Sequence, residues 1–75
     1  MKIIIVGGGK VGYYLIRTLI EKKHEPTVIE INKEVSKKIA DTMDIPVILG
    51  DATNIEVLRA AGADEADAFV SVTGN

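Results

Sequence analysis

The chain has 75 residues, enough for one domain, with 47% hydrophobic residues and no cysteine. This composition excludes a disordered chain, a disulfide framework and a thiolate metal site. The formal net charge of −2 offers no basic surface to nucleic acid, and no apolar run approaches the roughly 20 residues that span a membrane. We therefore expect a small globular domain with no nucleic-acid partner and no direct membrane insertion.

The first predicted elements are a strand, a helix and a second strand. Residues 2–6 are mostly β-branched, which is typical of a strand covered on both faces. Over residues 10–23, apolar residues recur at helical spacing. Pro26 is expected to end that helix, because proline disfavours helical backbone in the residue before it. Residues 27–31 then predict the second strand.

The second half of the chain continues the alternation of helices and strands. Asn32 is expected to cap a helix over residues 33–43, and residues 47–49 predict a short third strand. Thr53 and Glu56 have the spacing of a capping box for a helix over residues 54–61, and Gly62 follows its end. Residues 68–72 predict the fourth strand.

The order βαβαβαβ predicts an α/β fold, an open parallel sheet with right-handed crossovers. We expect this sheet to be Rossmann-like, with strand order 3-2-1-4. Residues 1–75 are expected to form one domain. In that topology the third helix is alone on its face of the sheet. One face of the first and fourth strands is then expected to meet water, and the chain to form a two-fold dimer.

Three glycines follow the first strand in the pattern G-x-G-x-x-G, formed by Gly7, Gly9 and Gly12. The pattern has its required context, a βαβ unit of roughly thirty residues. Gly7 is expected to permit a tight turn, Gly9 to let the backbone approach a diphosphate, and Gly12 to let the helix lie close to the sheet. Gly8 is expected to add freedom to the turn. The alternative is a glycine-rich turn that binds nothing.

Glu30 lies at the end of the second predicted strand, roughly 20 residues beyond the glycine motif, where an acidic residue binds an adenosine ribose. Its charge would repel a 2′-phosphate, which favours NAD(H) or a plain adenine nucleotide over NADP(H). Lys33 nearby weakens this preference. The alternative is an ordinary exposed glutamate.

The chain resembles the N-terminal part of the TrkA family, the KTN or RCK domains of potassium uptake systems and channels. The resemblance is carried by "IIIVGGGKVGYYLIRTL", "VIEIN", "ILGDATNIEVLRAAG" and "EADAFVSVTGN". It implies that residues 1–75 are the N-terminal part of a nucleotide-binding domain, truncated relative to a full Rossmann domain. It also implies a regulatory module, not an enzyme, that binds NAD(H) or ATP, ADP or AMP. It also implies a homo-oligomer in the cytoplasm, held at the inner face of the cell membrane by a potassium transporter or channel subunit.

The motif and the resemblance together predict a set of cofactor-binding residues. By the resemblance, Asp51, Ala52 and Thr53 line the adenine side, and Thr73 lies near the diphosphate or the second ribose. For Asp51 the alternative is a turn or cap residue, and for Thr73 it is simple strand termination. The full set is Gly7, Gly8, Gly9, Lys10, Val11, Gly12, Glu30, Ile31, Asp51, Ala52, Thr53 and Thr73.

A rival function is the cofactor-binding half of an NAD-dependent oxidoreductase. Hydride transfer needs a proton donor besides the cofactor, and no His, Lys or Tyr is placed for that role. A third possibility is a half-domain that no longer binds its ligand well. We predict no catalytic and no metal-binding residue, and we expect Asp64, Glu65 and Asp67 to form a polar loop.

Overall fold

Four parallel strands form one sheet in the order β3-β2-β1-β4 in the computed structural model, which describes residues 1–72. The strands are β1 (Lys2–Val6), β2 (Glu25–Glu30), β3 (Val47–Leu49) and β4 (Ala68–Ser71). The helices are α1 (Lys10–Glu21), α2 (Lys33–Thr42) and α3 (Ile55–Ala60), and a 3-10 helix follows at Ala63–Glu65. The predicted Rossmann-like fold and strand order are confirmed.

The central strand β1 sets the register of the sheet. Ile5 of β1 lies opposite Val28 of β2 on one side and Val70 of β4 on the other. Because all strands are parallel, their carboxyl ends meet at one edge of the sheet. The glycine-rich turn leaves β1 at that edge.

The core lies between the sheet and the first two helices. It is built from fully or nearly fully buried aliphatic residues of β1, α1, β2 and α2, namely Ile3, Ile5, Ile16, Val28 and Ile39. Side chains alternate between the faces of a strand, so Ile4 and Ile29 point to the opposite face. Burial of alternating apolar residues on both faces explains why β1 is a continuous apolar run.

The expectation that one face of both β1 and β4 meets water is wrong for β1. Ile4 is only 2% exposed, and it lines one cavity together with Ala61, Gly62 and Ala66. The segment that follows α3 therefore reaches this face. In β4 the expectation holds, because Phe69, the neighbour of Ile4 in register, is 51% exposed.

The end of α1 differs from the prediction. The helix ends at Glu21, and Lys23 adopts the left-handed conformation, with φ 65°. Pro26 does not end α1 but lies within β2, opposite Ile3. The N–H of Glu25 donates to the carbonyl of Met1, which directly precedes β1. The nitrogen of Pro26 therefore points the other way, where β3 pairs only from Val28 onward. The missing N–H of Pro26 therefore leaves no partner unsatisfied.

Candidate functional site: the cleft at the carboxyl end of the sheet

Gly7 and Gly12 hold the glycine-rich turn against α1. Gly7 has φ 100°, a conformation that glycine adopts without strain. A Cβ on Gly12 would lie 2.7 Å from the carbonyl oxygen of Gly7. The tight turn and the close helix packing expected from the motif are therefore both present in the structure.

Gly8 and Gly9 differ in what surrounds them. A Cβ on Gly9 would meet nothing within 4 Å, so this position faces open space. A Cβ on Gly8 would overlap Cδ1 of Ile39 and would lie 3.5 Å from Oε1 of Glu30. The expectation that Gly8 adds freedom is wrong, because Gly8 is needed for close packing on α2.

The start of α1 presents unsatisfied backbone donors. Its first helical hydrogen bond runs from the N–H of Tyr13 to the carbonyl of Gly9, at 2.8 Å. Gly9, the N-cap, has no side chain to accept a bond, and the first turn holds no acidic residue. The N–H groups of Lys10, Val11 and Gly12 therefore have no helical acceptor. Such an N-terminus favours an anion, because its dipole end is positive.

Glu30 is buried at the same edge of the sheet. It is 7% exposed, so the alternative of an ordinary exposed glutamate is wrong. Its carboxylate accepts hydrogen bonds from the N–H of Gly8 at 2.6 Å and from the N–H of Asn32 at 2.7 Å. Each carboxylate oxygen has a second lone pair for a further donor.

Asp51 and Thr53 form the turn between β3 and α3. Oδ1 of Asp51 accepts from the N–H of Thr53 at 2.9 Å and from its hydroxyl at 2.8 Å. These two bonds, first the backbone one, lower the pKa of Asp51 below its ordinary value. Asp51 is thus a turn residue, the alternative left open by the sequence, and this geometry is compatible with a place beside a ligand.

The capping box predicted for α3 is wrong. The N-cap is Asn54, whose Oδ1 accepts from the N–H of Glu56 at 2.8 Å. The hydroxyl of Thr53 is already bonded to Asp51, so the capping role moves one residue along the chain.

Two adjoining clefts bring these elements together. One, of about 350 Å³, is lined by the glycine-rich turn, and the other, of about 430 Å³, by the turn after β3. Gly7, Glu30 and Ile31 line both. All predicted cofactor residues within residues 1–72 line one of the clefts except Gly12, which packs against Gly7, while Thr73 lies outside the described residues.

Apolar side chains stand at the mouth of the clefts. Val11 is 69% exposed and Ile31 is 68% exposed, and both line the cleft beside the glycine-rich turn. Ligand pockets are typically apolar with a few placed polar groups. A cavity of about 470 Å³ at the amino end of the sheet is larger, but it is lined by carboxylates such as Glu25 and Glu65 and lacks the uncapped helix start. The carboxyl-end clefts therefore fit an anionic ligand better.

Comparison with known families identifies the family of this domain. The family model of the TrkA-N domain matches residues 3–75. The chain belongs to the TrkA-N domain family. The resemblance inferred from the sequence is therefore confirmed.

Relatives of this TrkA-N chain carry names from potassium uptake. The chain is 43% identical to a Trk system potassium uptake protein TrkA homolog of Archaeoglobus fulgidus, over 100% of this chain and 17% of that protein. It is 40% identical to the homolog of Pyrococcus abyssi, over 99% of this chain and 33% of that protein. It is 38% identical to TrkA of Vibrio alginolyticus, over 97% of this chain and 16% of that protein. The chain thus spans a third or less of these relatives.

Sequence reasoning missed several residues that line the TrkA-N clefts, and Gly50 and Ser71 are two of them. Both lie at the carboxyl end of a strand, and that position is the signal that could have found them. A Cβ on Gly50 would lie 2.7 Å from Cγ2 of Val57, so Gly50 lets α3 approach the end of β3.

Two acidic residues before β4 bond to Lys2 at the start of β1. Glu65 pairs with the ammonium group of Lys2 at 3.2 Å, and Asp67 accepts from the backbone N–H of Lys2 at 2.8 Å. Within the described residues, no group of three or more His, Asp or Glu side chains is placed to hold a metal ion. Nor does any helix of residues 1–72 have the length and apolar character needed to cross a bilayer.

Proposed function

We propose that this chain is a regulatory nucleotide-binding module of a potassium transport system. It binds NAD(H), or ATP, ADP or AMP, in the cleft at the carboxyl end of the sheet. The bound nucleotide biases a conformation that a potassium transporter or channel subunit reads at the cytoplasmic face of the membrane. The observation that supports this best is the convergence of an uncapped helix start, a buried carboxylate and an exposed apolar rim in one cleft.

Each part of the nucleotide has a place in the proposal. The diphosphate lies against the free N–H groups at the start of α1, where Gly9 leaves open space. A ribose donates its hydroxyls to Glu30, and the adenine lies near Ile31, Ala52 and Thr53, which line the adjoining cleft. Thr73 is proposed, from the family resemblance alone, to lie near the diphosphate or the second ribose.

The buried charge of Glu30 favours NAD(H) over NADP(H) in this proposal. A 2′-phosphate placed against the Glu30 carboxylate would bring two negative charges together in a site shielded from water. The names of the relatives supply the link to potassium uptake. The proposed role is regulatory, with no chemical step.

Calorimetry with NADH, NAD, NADPH, ATP and ADP tests the proposal. Gly9→Ala is the decisive variant, because its new methyl group enters only the open space of the cleft and φ of −70° suits alanine. Binding is expected to weaken by about 2 kcal/mol, on the order of a lost set of charge-assisted hydrogen bonds. A folded Gly9→Ala variant, verified by circular dichroism, that binds as tightly as the wild type contradicts this pocket assignment.

A turnover assay separates the proposal from the oxidoreductase alternative. The protein is expected to give no steady NADH production from common hydroxy acids or alcohols. Turnover with NAD at about 1 per second or faster, as in typical enzymes, would favour the alternative.

A further inference from the structure

The carboxylate of Glu30 joins two turns that belong to different parts of the chain. One oxygen accepts from Gly8, 22 residues away in sequence, and the other accepts from Asn32, the N-cap of α2. No salt bridge within residues 1–72 involves Glu30. Its charge is therefore stabilised by two backbone N–H groups and by the positive end of the α2 dipole.

The same contact fixes Gly8 from two sides. Its missing Cβ would overlap Ile39 of α2, and it would lie 3.5 Å from both Val35 Cγ1 and the carboxylate of Glu30. The glycine-rich turn thus packs against α2, and the hydrogen bond of 2.6 Å from the N–H of Gly8 to Glu30 holds it there. Because the N–H of Gly8 is already bonded, it is not available to a phosphate group.

We infer that Glu30 is a positioning residue of the glycine-rich turn, in addition to its proposed contact with a ribose. It fixes the turn against α2 before a nucleotide binds, so that the free N–H groups of Lys10, Val11 and Gly12 face the diphosphate. A turn that is ordered before binding loses less conformational entropy when the nucleotide binds. This inference deepens the proposed function, but the bond between Glu30 and Gly8 is measurable without any ligand.

Amide hydrogen exchange of the ligand-free protein tests the bond itself. Glu30→Gln keeps the shape of the side chain but leaves one acceptor oxygen in place of two. Glu34→Gln is the matched control, since it removes the same charge from an exposed residue in the first turn of α2. In Glu30→Gln, the amide hydrogen of Gly8, of Asn32 or of both is expected to exchange about tenfold faster than in the wild type. In the Glu34→Gln control, both amides are expected to exchange at the wild-type rate.

The amide of Val28 reports on the whole fold in the same experiment. It is in the core and donates to the carbonyl of Pro46 at 3.0 Å, away from both turns. If Gly8, Asn32 and Val28 all accelerate by the same factor, Glu30 only stabilises the fold, and the inference is overturned. Unchanged exchange at both Gly8 and Asn32 also overturns it.

Binding of two related nucleotides separates positioning from ribose recognition. ADP and 2′,3′-dideoxy-ADP share a diphosphate, but the second lacks the ribose hydroxyls. If Glu30 positions the turn, the Glu30→Gln variant is expected to bind the dideoxy nucleotide at least about threefold more weakly than the wild type does. The Glu34→Gln control is expected to bind it as tightly as the wild type. Equal affinity for the dideoxy nucleotide overturns the positioning role. If the wild type binds neither nucleotide, the proposed function fails for these ligands, and hydrogen exchange alone decides the inference.

Discussion

Two glycines of the G-x-G-x-x-G motif differ in steric constraint at the scale of single residues. A Cβ on Gly12 would lie 2.7 Å from the carbonyl oxygen of Gly7, whereas one on Gly9 would have open space. Gly12→Ala is therefore expected to lower the free energy of unfolding by about 1–3 kcal/mol, because α1 must move off the sheet. Gly9→Ala is expected to change it by about 1 kcal/mol or less. Urea unfolding of both variants measures the difference, and equal losses would contradict the packing role of Gly12.

Asp51 gives a pH-dependent prediction at the same scale. Hydrogen bonds from the N–H and hydroxyl of Thr53 lower the pKa of Asp51 in the folded protein. The stability that they contribute is thus present above the unfolded-state pKa and is lost as the pH falls through the folded-state pKa. Thr53→Val removes the hydroxyl donor, so the pKa of Asp51 is expected to rise toward its ordinary value without reaching it.

An NMR titration of the Asp51 carboxyl carbon measures this change. Thr18→Val is the matched control, because it makes the same substitution at a hydroxyl that bonds to the carbonyl of Tyr14 instead. The pKa of Asp51 is expected to remain at its wild-type value in the control. An unchanged pKa in Thr53→Val would show that the hydroxyl bond of 2.8 Å does not form in solution.

At the scale of helices and strands, the residue that caps the start of α3 can be tested. Asn54 accepts from the N–H of Glu56 and is the N-cap, while the side chain of Thr53 bonds to Asp51. Asn54→Ala is expected to cost about 1 kcal/mol of stability. Thr53→Ala is the neighbouring control and is expected to cost less, since it removes one exposed hydrogen bond. The reverse order in thermal unfolding would favour the capping box that the sequence predicted.

The end of α1 provides a stabilising substitution. Lys23 has φ 65°, a left-handed conformation that costs a side chain about 1 kcal/mol, whereas glycine adopts it freely. Lys23→Gly is therefore expected to raise the free energy of unfolding by about 0.5 kcal/mol, after the greater entropy of the unfolded glycine is subtracted. Lys22→Gly is the control, because φ of −87° gives glycine no such advantage. A loss of stability in Lys23→Gly would contradict this account of the helix end.

Features that depend on short-range pattern could be predicted from the sequence, and features that depend on packing between distant segments could not. The strands and the places of Gly7 and Glu30 follow from periodicity and from the rule that strand ends gather at one edge. The order of the sheet follows from the Rossmann-like topology. The close packing of Gly8 depends on where Ile39 of α2 lies, and Glu30 is buried where it bonds to Gly8, 22 residues away in sequence. The end of α1 is a local exception, because Lys23, and not the expected Pro26, makes the turn.

Association of the chain is a prediction at the scale of the whole molecule. β4 is an edge of the sheet, and Phe69 on it is 51% exposed, while Ile55 of α3 is 62% exposed. Within residues 1–72, no further strand pairs with Ala68, Phe69 or Val70 on the outer side of β4. An edge strand beside exposed apolar side chains favours pairing with another chain. We therefore expect the 75-residue chain to form a two-fold dimer at micromolar concentration, with β4 and Phe69 at the contact.

Sedimentation equilibrium measures this association against the chain mass of 8.1 kDa. Phe69→Ser is expected to weaken the dimer about tenfold, because about 1.4 kcal/mol is within the range for one partly buried aromatic side chain. Tyr14→Ser is the matched control, since Tyr14 is 66% exposed on α1 and lines a cleft with Val35 and Lys38 of α2. Circular dichroism verifies that both variants remain folded. A folded wild-type monomer, or equal weakening by the two substitutions, would show that the exposed face around Phe69 does not drive self-association.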